Sequence, residues 1–221
     1  MNVVEALNRR KSTRAFLQRG VDKALIEQIL DAARHAPSGA NTQPWQVAVV
    51  SGERKRQLQQ RIEQAFRDGV AGNMDYLYYP TEWAEPYRSR RRECGLQLYN
   101  ALHIERKDRD RQHEQWAANY RAFDAPVVLF FFMDAGLQTG SFLDYGMFLQ
   151  SLMLAAVEKG LATCPQAALA EYPGIVKQAL GYPDNSILIC GMALGYENPE
   201  APINRYRVPR QEVADFTRFF E

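Results

Sequence analysis

The sequence predicts a layered α+β or α/β domain, and three features predict it. Stretches with helical and with strand periodicity alternate along the chain. Two runs, residues 127–133 and 187–194, are apolar almost without a break, as strands buried on both faces are. Helical stretches outweigh strands, so helices are expected in layers against a sheet. With 221 residues and 46% hydrophobic side chains, the chain can bury a sizeable core. Residues 1–221 therefore read as a single domain, with a lid or insertion region at about 68–118.

In order along the chain, residues 2–10 place Val3, Val4, Ala6 and Leu7 on one helical face. Asp22 is suited to cap a helix whose apolar positions are Leu25, Ile26, Ile29, Leu30 and Ala33. Pro37 closes that helix, and Ser38-Gly39-Ala40-Asn41 has the composition of a loop. Residues 45–50 alternate as a strand, with Trp45, Val47 and Val49 on one face. Residues 53–67 form a charged amphipathic helix. Gly69, Gly72, Pro80 and Pro86 then break periodicity, while Tyr76, Tyr78, Tyr79 and Trp83 crowd the segment with rings. Such a segment suggests a lid or a dimer contact.

Residues 88–121 read as two charged helices ahead of the strand at 127–133. A helix follows at 145–158. Its apolar run is shorter than the roughly 20 residues that span a bilayer, so it reads as a buried helix and no membrane partner is expected. Residues 160–166 read as a turn into a loop, 172–180 as a short helix, and 187–194 as the second buried strand. The tail from Pro199 is rich in Pro and Arg and ends in Phe216, Phe219 and Phe220.

Composition excludes several functions. Lys+Arg 27 against Asp+Glu 26 leaves a net charge of +1, so no basic field calls for nucleic acid. Cys94, Cys164 and Cys190 form no CxxC pair and read as reduced thiols in a cytoplasmic protein. The N-terminus shows no apolar signal-peptide core. His35, His103 and His113 fall in no HxxxH or HExxH pattern, so no metal site is expected. There is no Gly-x-Ser-x-Gly elbow and no Walker A string, and residues 191–195 do not make a Rossmann fingerprint. Cys164 has no base near it in sequence and does not read as a nucleophile.

What remains is local chemistry. In Arg9-Arg10-Lys11-Ser12-Thr13-Arg14, guanidinium forks and hydroxyls suited to a phosphate lie side by side. In an extended segment, Arg10, Ser12 and Arg14 face the same way. About 25 residues later comes Pro37-Ser38-Gly39-Ala40-Asn41-Thr42-Gln43-Pro44-Trp45. Gly39 there allows close backbone approach, and Ser38, Asn41 and Gln43 offer polar groups to a ligand edge.

These two strings in this order resemble the FMN-binding signature of the nitroreductase family, and the resemblance runs nearly the length of the chain. It implies an α+β three-layer sandwich, a central, mainly antiparallel sheet flanked by helices, and an intertwined homodimer. Arg10, Lys11, Ser12, Thr13 and Arg14 match the first FMN segment, in which Arg10, Ser12 and Arg14 would bind the ribityl phosphate and pyrimidine edge. Pro37, Ser38, Gly39 and Asn41 match the segment that reaches FMN from the other subunit. Residues 160–168 match the loop against the ring system, with Pro165 and a backbone N–H from Gln166 or Ala167 facing flavin N5. Val208-Pro209-Arg210 matches a Lys-x-Arg phosphate clamp. Arg210 would be the clamp with Arg207 as runner-up, and Val208 removes one charge unless Arg205 or Arg207 replaces it. Arg121 falls near where some members contact the pyrimidine.

The long region 68–118 resembles the larger nitrobenzene- or nitrobenzoate-type branch. The implied activity is reduction of nitroaromatic or quinone-type acceptors by NADH or NADPH through FMN, in a ping-pong cycle with the flavin performing the chemistry. Reductive dehalogenation, or other flavin chemistry such as flavin cleavage on the same scaffold, and a non-catalytic flavin-binding protein are the alternatives. Glu82, Glu85 and Tyr87 would suit dehalogenation, but no Lys lies between Arg56 and Lys107.

Overall fold

The computed structural model describes residues 1–221. Its four strands are β1 (Gln46–Ser51), β2 (Val127–Asp134), β3 (Ala162–Gln166) and β4 (Ser186–Gly195). They form one sheet in the order β1-β2-β4-β3, antiparallel throughout. Its helices are α1 (Val3–Arg9), α2 (Lys23–Ala33), α3 (Gly52–Arg67), α4 (Tyr87–Ala101), α5 (Arg109–Ala117), α6 (Gly140–Glu158), α7 (Pro173–Leu180) and α8 (Val213–Phe216).

The two uninterrupted apolar runs are the central strands, β2 and β4. They are apolar at every position because each face of the sheet has its own helical layer. Val128, Phe130 and Phe132 enter one core with Leu58 and Ile62 of α3 and Val176 of α7. Leu129, Phe131 and Met133 enter the other with Ile26 and Ile29 of α2 and Phe148 and Leu152 of α6. The result is the three-layer sandwich expected, and burying each such side chain contributes about 1.5–3 kcal/mol. Asp22 caps α2 by accepting from the Ala24 N–H at 2.9 Å.

The register of β4 against β2 shifts between Phe131 and Phe132, so β4 carries one extra residue, Ile189. Ile189 and Cys190 consequently enter the same core. β3 pairs only with the segment Gly191 to Gly195, leaving the first half of β4 without a strand on that side. Asp75 and Tyr76 cover this edge. The Leu188 N–H donates to Asp75 Oδ2 at 2.8 Å, and the Tyr76 hydroxyl donates to the Ile189 carbonyl at 2.6 Å. Lys177 Nζ donates to the other Asp75 oxygen at 2.9 Å. The start of the 68–118 region is thus pinned to the sheet. From Leu77 it runs outward into α4, which buries no residue, and α5.

Several expectations are corrected. Residues 162–166 are a strand, not a loop: as an edge strand β3 tolerates Pro165, which has no N–H to give. The long apolar helix starts at Gly140 and is buried along one face only; Leu143 on its other face is 71% exposed. In α1 only Ala6 is buried, while Val3, Val4 and Leu7 face outward. On β1 Val50 is buried in the α3 core while Val49, on the opposite face, is exposed. Phe216, Phe219 and Phe220 at the end of the tail are exposed.

Candidate functional site

Beyond α1 the chain turns extended at Arg10. Ser12 forms a parallel bridge with Thr163, and the Thr13 N–H donates to the Thr163 carbonyl at 3.0 Å. Alternation then sorts the basic run. Arg10, Ser12 and Arg14 line a cavity of about 540 Å³. Thr13 is 1% exposed and turned into the protein. Lys11 also lines the cavity, but its ammonium is held by Glu197 at 2.6 Å and by the Asn204 carbonyl at 2.6 Å.

The tail crosses this segment and closes the cavity with Asn204, Tyr206, Arg207 and Arg210. Arg207 donates to the Arg9 and Arg10 carbonyls at 2.6 and 3.0 Å. Arg210 donates only to the Val208 and Pro209 carbonyls, both at 3.1 Å. No Asp or Glu lines the cavity. Burial, reinforced by Arg210 and Arg207, holds the Arg10 pKa below its ordinary value. Unneutralised guanidiniums converging this way favour a multiply charged anion. Of the two candidates to replace the missing charge at Val208, Arg207 is present. Arg205 turns away to Glu200 at 3.0 Å. Arg121 is also placed elsewhere, bound to Glu63 at 2.6 Å and Asp124 at 3.3 Å.

Arg14 also lines a second cavity, of about 380 Å³, walled by Pro165, Gln166 and Ala167. Tyr99, Trp116 and Phe123 contribute its aromatic side. The Gln166 carboxamide donates to the Asn119 carbonyl at 2.9 Å, while its buried Oε1 has no partner. Glu171 lines the same cavity and accepts from the Tyr120 hydroxyl at 2.5 Å. Burial pushes Glu171 above the ordinary carboxylate range, opposed by that hydrogen bond. Burial likewise pushes the Cys164 thiol up to about 11, so it is not a nucleophile at neutral pH.

Pro37, Ser38, Gly39 and Asn41 line neither cavity. Gly39 N–H donates to Asp144 at 3.1 Å, and Ser38 Oγ accepts from the Gln43 N–H at 3.0 Å. Ala40, Asn41 and Gln43 all have positive φ, a concentration of backbone strain in an exposed loop. A Cβ on Gly39 would meet only Asp144, at 3.8 Å, so nothing within the chain requires glycine there. The acidic residues of the dehalogenation alternative are not gathered either: Glu85 pairs with Arg88 at 2.8 Å, and Tyr87 is exposed beneath Arg90. Asn204 and Tyr206 carry no local sequence signal, and their role appears only where the tail meets the first segment.

A carboxylate-free arginine cradle running into a ring-lined cleft, on an antiparallel three-layer domain, defines a protein built for a phosphorylated planar ligand. The chain matches the model of the nitroreductase family over residues 7–196, and it belongs to that family, in the larger nitrobenzene/nitrobenzoate-type branch. It is 39% identical over 210 residues to a 4-nitrobenzoate reductase of Pseudomonas putida, covering 95% of this chain and 92% of that one. It is 36% identical over 211 residues to a nitrobenzene nitroreductase of Ectopseudomonas oleovorans, covering 95% and 93%. The crystal structure of an FMN and NADPH-dependent nitroreductase from Sphigopyxis sp. strain HMH superposes with a TM-score of 0.97 at 41% identity, over 100% of both chains. An FMN-dependent nitroreductase from Mycobacterium smegmatis, solved with NADPH, gives 0.93 at 32%, again over 100% of both.

Proposed function

We propose that the chain is an FMN-dependent oxidoreductase that uses NAD(P)H to reduce nitroaromatic or quinone-type acceptors. The observation that carries this reading is the cavity of Arg10, Ser12, Arg14, Arg207 and Arg210, which has no acidic residue and opens at Arg14 towards the Pro165–Ala167 wall. The donor set fits a ribityl phosphate, and the cavity walled by Pro165–Ala167 with Tyr99, Trp116 and Phe123 fits an aromatic ring system. The names of the relatives supply the rest of the reading.

FMN, when bound, supplies the two-electron chemistry linking the reductant to the acceptor. The chain's residues bind and orient it. Arg10, Ser12, Arg207 and Arg210 would hold the phosphate, Arg14, which lines both cavities, would bridge them, and Pro165, Gln166 and Ala167 would support the ring, with a backbone N–H of Gln166 or Ala167 as the donor to it. Lys11 and Thr13 shape the cradle rather than touch the ligand, Lys11 through Glu197 and Asn204, Thr13 through Thr163. Reductant and acceptor share the open side of one cleft, which is the reason for a ping-pong cycle.

Pro37, Ser38, Gly39 and Asn41 are proposed to complete the site of a second copy in an intertwined homodimer. The outward apolar faces of α1 and α6, and a glycine that nothing in its own chain demands, support that assignment. The free cysteines suit the reducing cytoplasm.

An absorption spectrum of purified protein, before and after anaerobic NADPH, tests the function. Flavin bands that bleach and then return with a nitroaromatic are expected. FMN bound but inert to both NADPH and NADH would favour a flavin-binding protein. Colourless protein that fails to take up FMN would end the reading.

A further inference from the structure

The sequence from Tyr87 to Arg92 holds a run of arginines that the phosphate cradle does not use. It lies on the first turns of α4, and its members have different environments. Arg88 is neutralised by Glu85 at 2.8 Å. Arg90 sits over the Tyr87 ring, 5.6 Å from its centroid. Arg91 alone of them lines the cavity beside Pro165–Ala167, and its guanidinium carbon stands 5.2 Å over the ring of Trp83. Trp83 in turn packs on Tyr79, 5.4 Å between centroids, and Tyr79 lines the same cavity.

No carboxylate neutralises Arg91. The only acidic residue lining this cavity is Glu171, and its carboxylate is engaged by Tyr120 at 2.5 Å. The only other cation there is Arg14, which belongs to the phosphate side. A cation–π contact with indole holds a guanidinium near the ring without using up its N–H donors, which are then available to a planar anion. The neighbouring walls, Tyr79, Tyr99 and Trp116, suit a flat ring.

We propose that Arg91 is a specificity-determining residue that selects aromatic acceptors bearing a carboxylate, the ring lying between the aromatic walls and the carboxylate meeting the Arg91 guanidinium. This rests on the function proposed above, and it adds the charge of the substrate and the residue that reads it. Neutral nitroaromatics enter the same cleft without that contact.

The test uses the FMN-loaded protein and Arg91→Gln, which keeps a long polar side chain on an exposed helix. Two acceptors are compared by kcat/KM, 4-nitrobenzoate and nitrobenzene. Binding of two unreactive probes, benzoate and benzamide, is measured by calorimetry. The variant is expected to lose about tenfold to 150-fold in kcat/KM for 4-nitrobenzoate and in affinity for benzoate, the effect of one charge-assisted hydrogen bond. Nitrobenzene, benzamide and FMN content are expected to stay within about twofold. Equal losses for both acceptors, or unchanged benzoate affinity, would overturn the proposal. So would a loss confined to NADPH over NADH, which would assign the guanidinium to the reductant's phosphate. If the wild type turns over neither acceptor, the proposed function fails, while the benzoate and benzamide titrations still decide the role of Arg91.

Discussion

The Arg14 backbone N–H donates to Asn204 Oδ1 at 2.8 Å across 190 residues of sequence. The same carboxamide donates to the Ala15 carbonyl at 2.8 Å and the Asn198 carbonyl at 2.9 Å, and Asn204 is 2% exposed. Its own carbonyl receives Lys11 Nζ. One asparagine therefore fixes the register between the first basic segment and the tail that brings Arg207 and Arg210. Asn204→Ala would leave several buried groups unpaired, each costing about 1–3 kcal/mol. A loss near 3 kcal/mol in urea denaturation is expected, together with at least tenfold weaker FMN binding by fluorescence titration. FMN affinity equal to wild type would show that Asn204 serves the fold alone.

The cradle itself makes a sharper prediction. Burial first, and then repulsion from Arg210 and Arg207, disfavours the charge on Arg10, and an anion between these groups would relieve the repulsion. Inorganic phosphate should therefore raise the melting temperature of the FMN-free protein. Arg10→Ala should remove most of that gain and weaken FMN binding about tenfold to 150-fold, the equivalent of 1.5–3 kcal/mol. Arg14→Ala should weaken FMN binding over the same range. Unchanged FMN affinity in both variants would refute the cradle.

Both halves of this cradle were legible in the sequence, by different routes, but the contacts that join them were not. Arg10, Ser12 and Arg14 lie in an extended segment, where alternation alone sets direction. That same parity turns Thr13 inward, where it is 1% exposed. Arg210, with Arg207 as runner-up, was legible only through the resemblance of Val208-Pro209-Arg210 to a phosphate clamp, whereas Asn204 carries no local signal because it acts where the tail crosses a segment nearly 200 residues earlier. β3 was missed because Ala162-Thr163-Cys164-Pro165-Gln166 has weak strand character and is held by its pairing with β4. The central strands and the helices facing them were readable because burial on both sides leaves an unbroken apolar signature.

Glu171 gives a pH signature. Burial raises its pKa above the ordinary 4.5, with the Tyr120 hydrogen bond opposing. A carboxyl whose pKa is raised by folding favours the fold while protonated. That contribution is fully present below the ordinary value and is lost as pH rises through the raised one. Glu171→Gln keeps an acceptor for Tyr120 and carries no charge. The variant should match wild-type stability at about pH 4 and exceed it at about pH 8, measured by urea denaturation. A constant difference across that range would show that the carboxyl is not penalised by burial.

Asp75 anchors the start of the 68–118 region through an ion pair with Lys177, whose side chains are 20% and 8% exposed. Removing the acid would strand a buried ammonium and free the Leu188 N–H at the open edge of β4. Asp75→Ala should destabilise by about 3–5 kcal/mol. It should also speed amide exchange at Leu188 and through residues 70–79 more than in α2, as read by mass spectrometry. Lys177→Met added to Asp75→Leu should recover much of the loss, since an apolar pair of similar volume leaves no unpaired charge. Failure of the double variant to recover would place the energy in the Leu188 hydrogen bond instead.

Gly191 and Gly195 separate fold stability from cofactor seating. A Cβ on Gly191 would lie 2.5 Å from Leu169 Cδ1 and 2.7 Å from Leu169 Cβ. Leu169 is fully buried in the short turn, Ala167–Ala170, that continues the Pro165–Ala167 wall. It cannot yield without moving that turn. On Gly195 the clash is instead with Pro126, at 2.6 Å to Cδ, on the strand connection before β2. Both Gly→Ala variants overpack a close-packed interior and should lose about 1–3 kcal/mol. Only Gly191→Ala should also shift the absorption bands of bound FMN and lower its occupancy, because only there does the displaced side chain support the ring wall. Identical spectra in the two variants would mean that the wall is held by β3 pairing alone, with Leu169 merely filling space behind it.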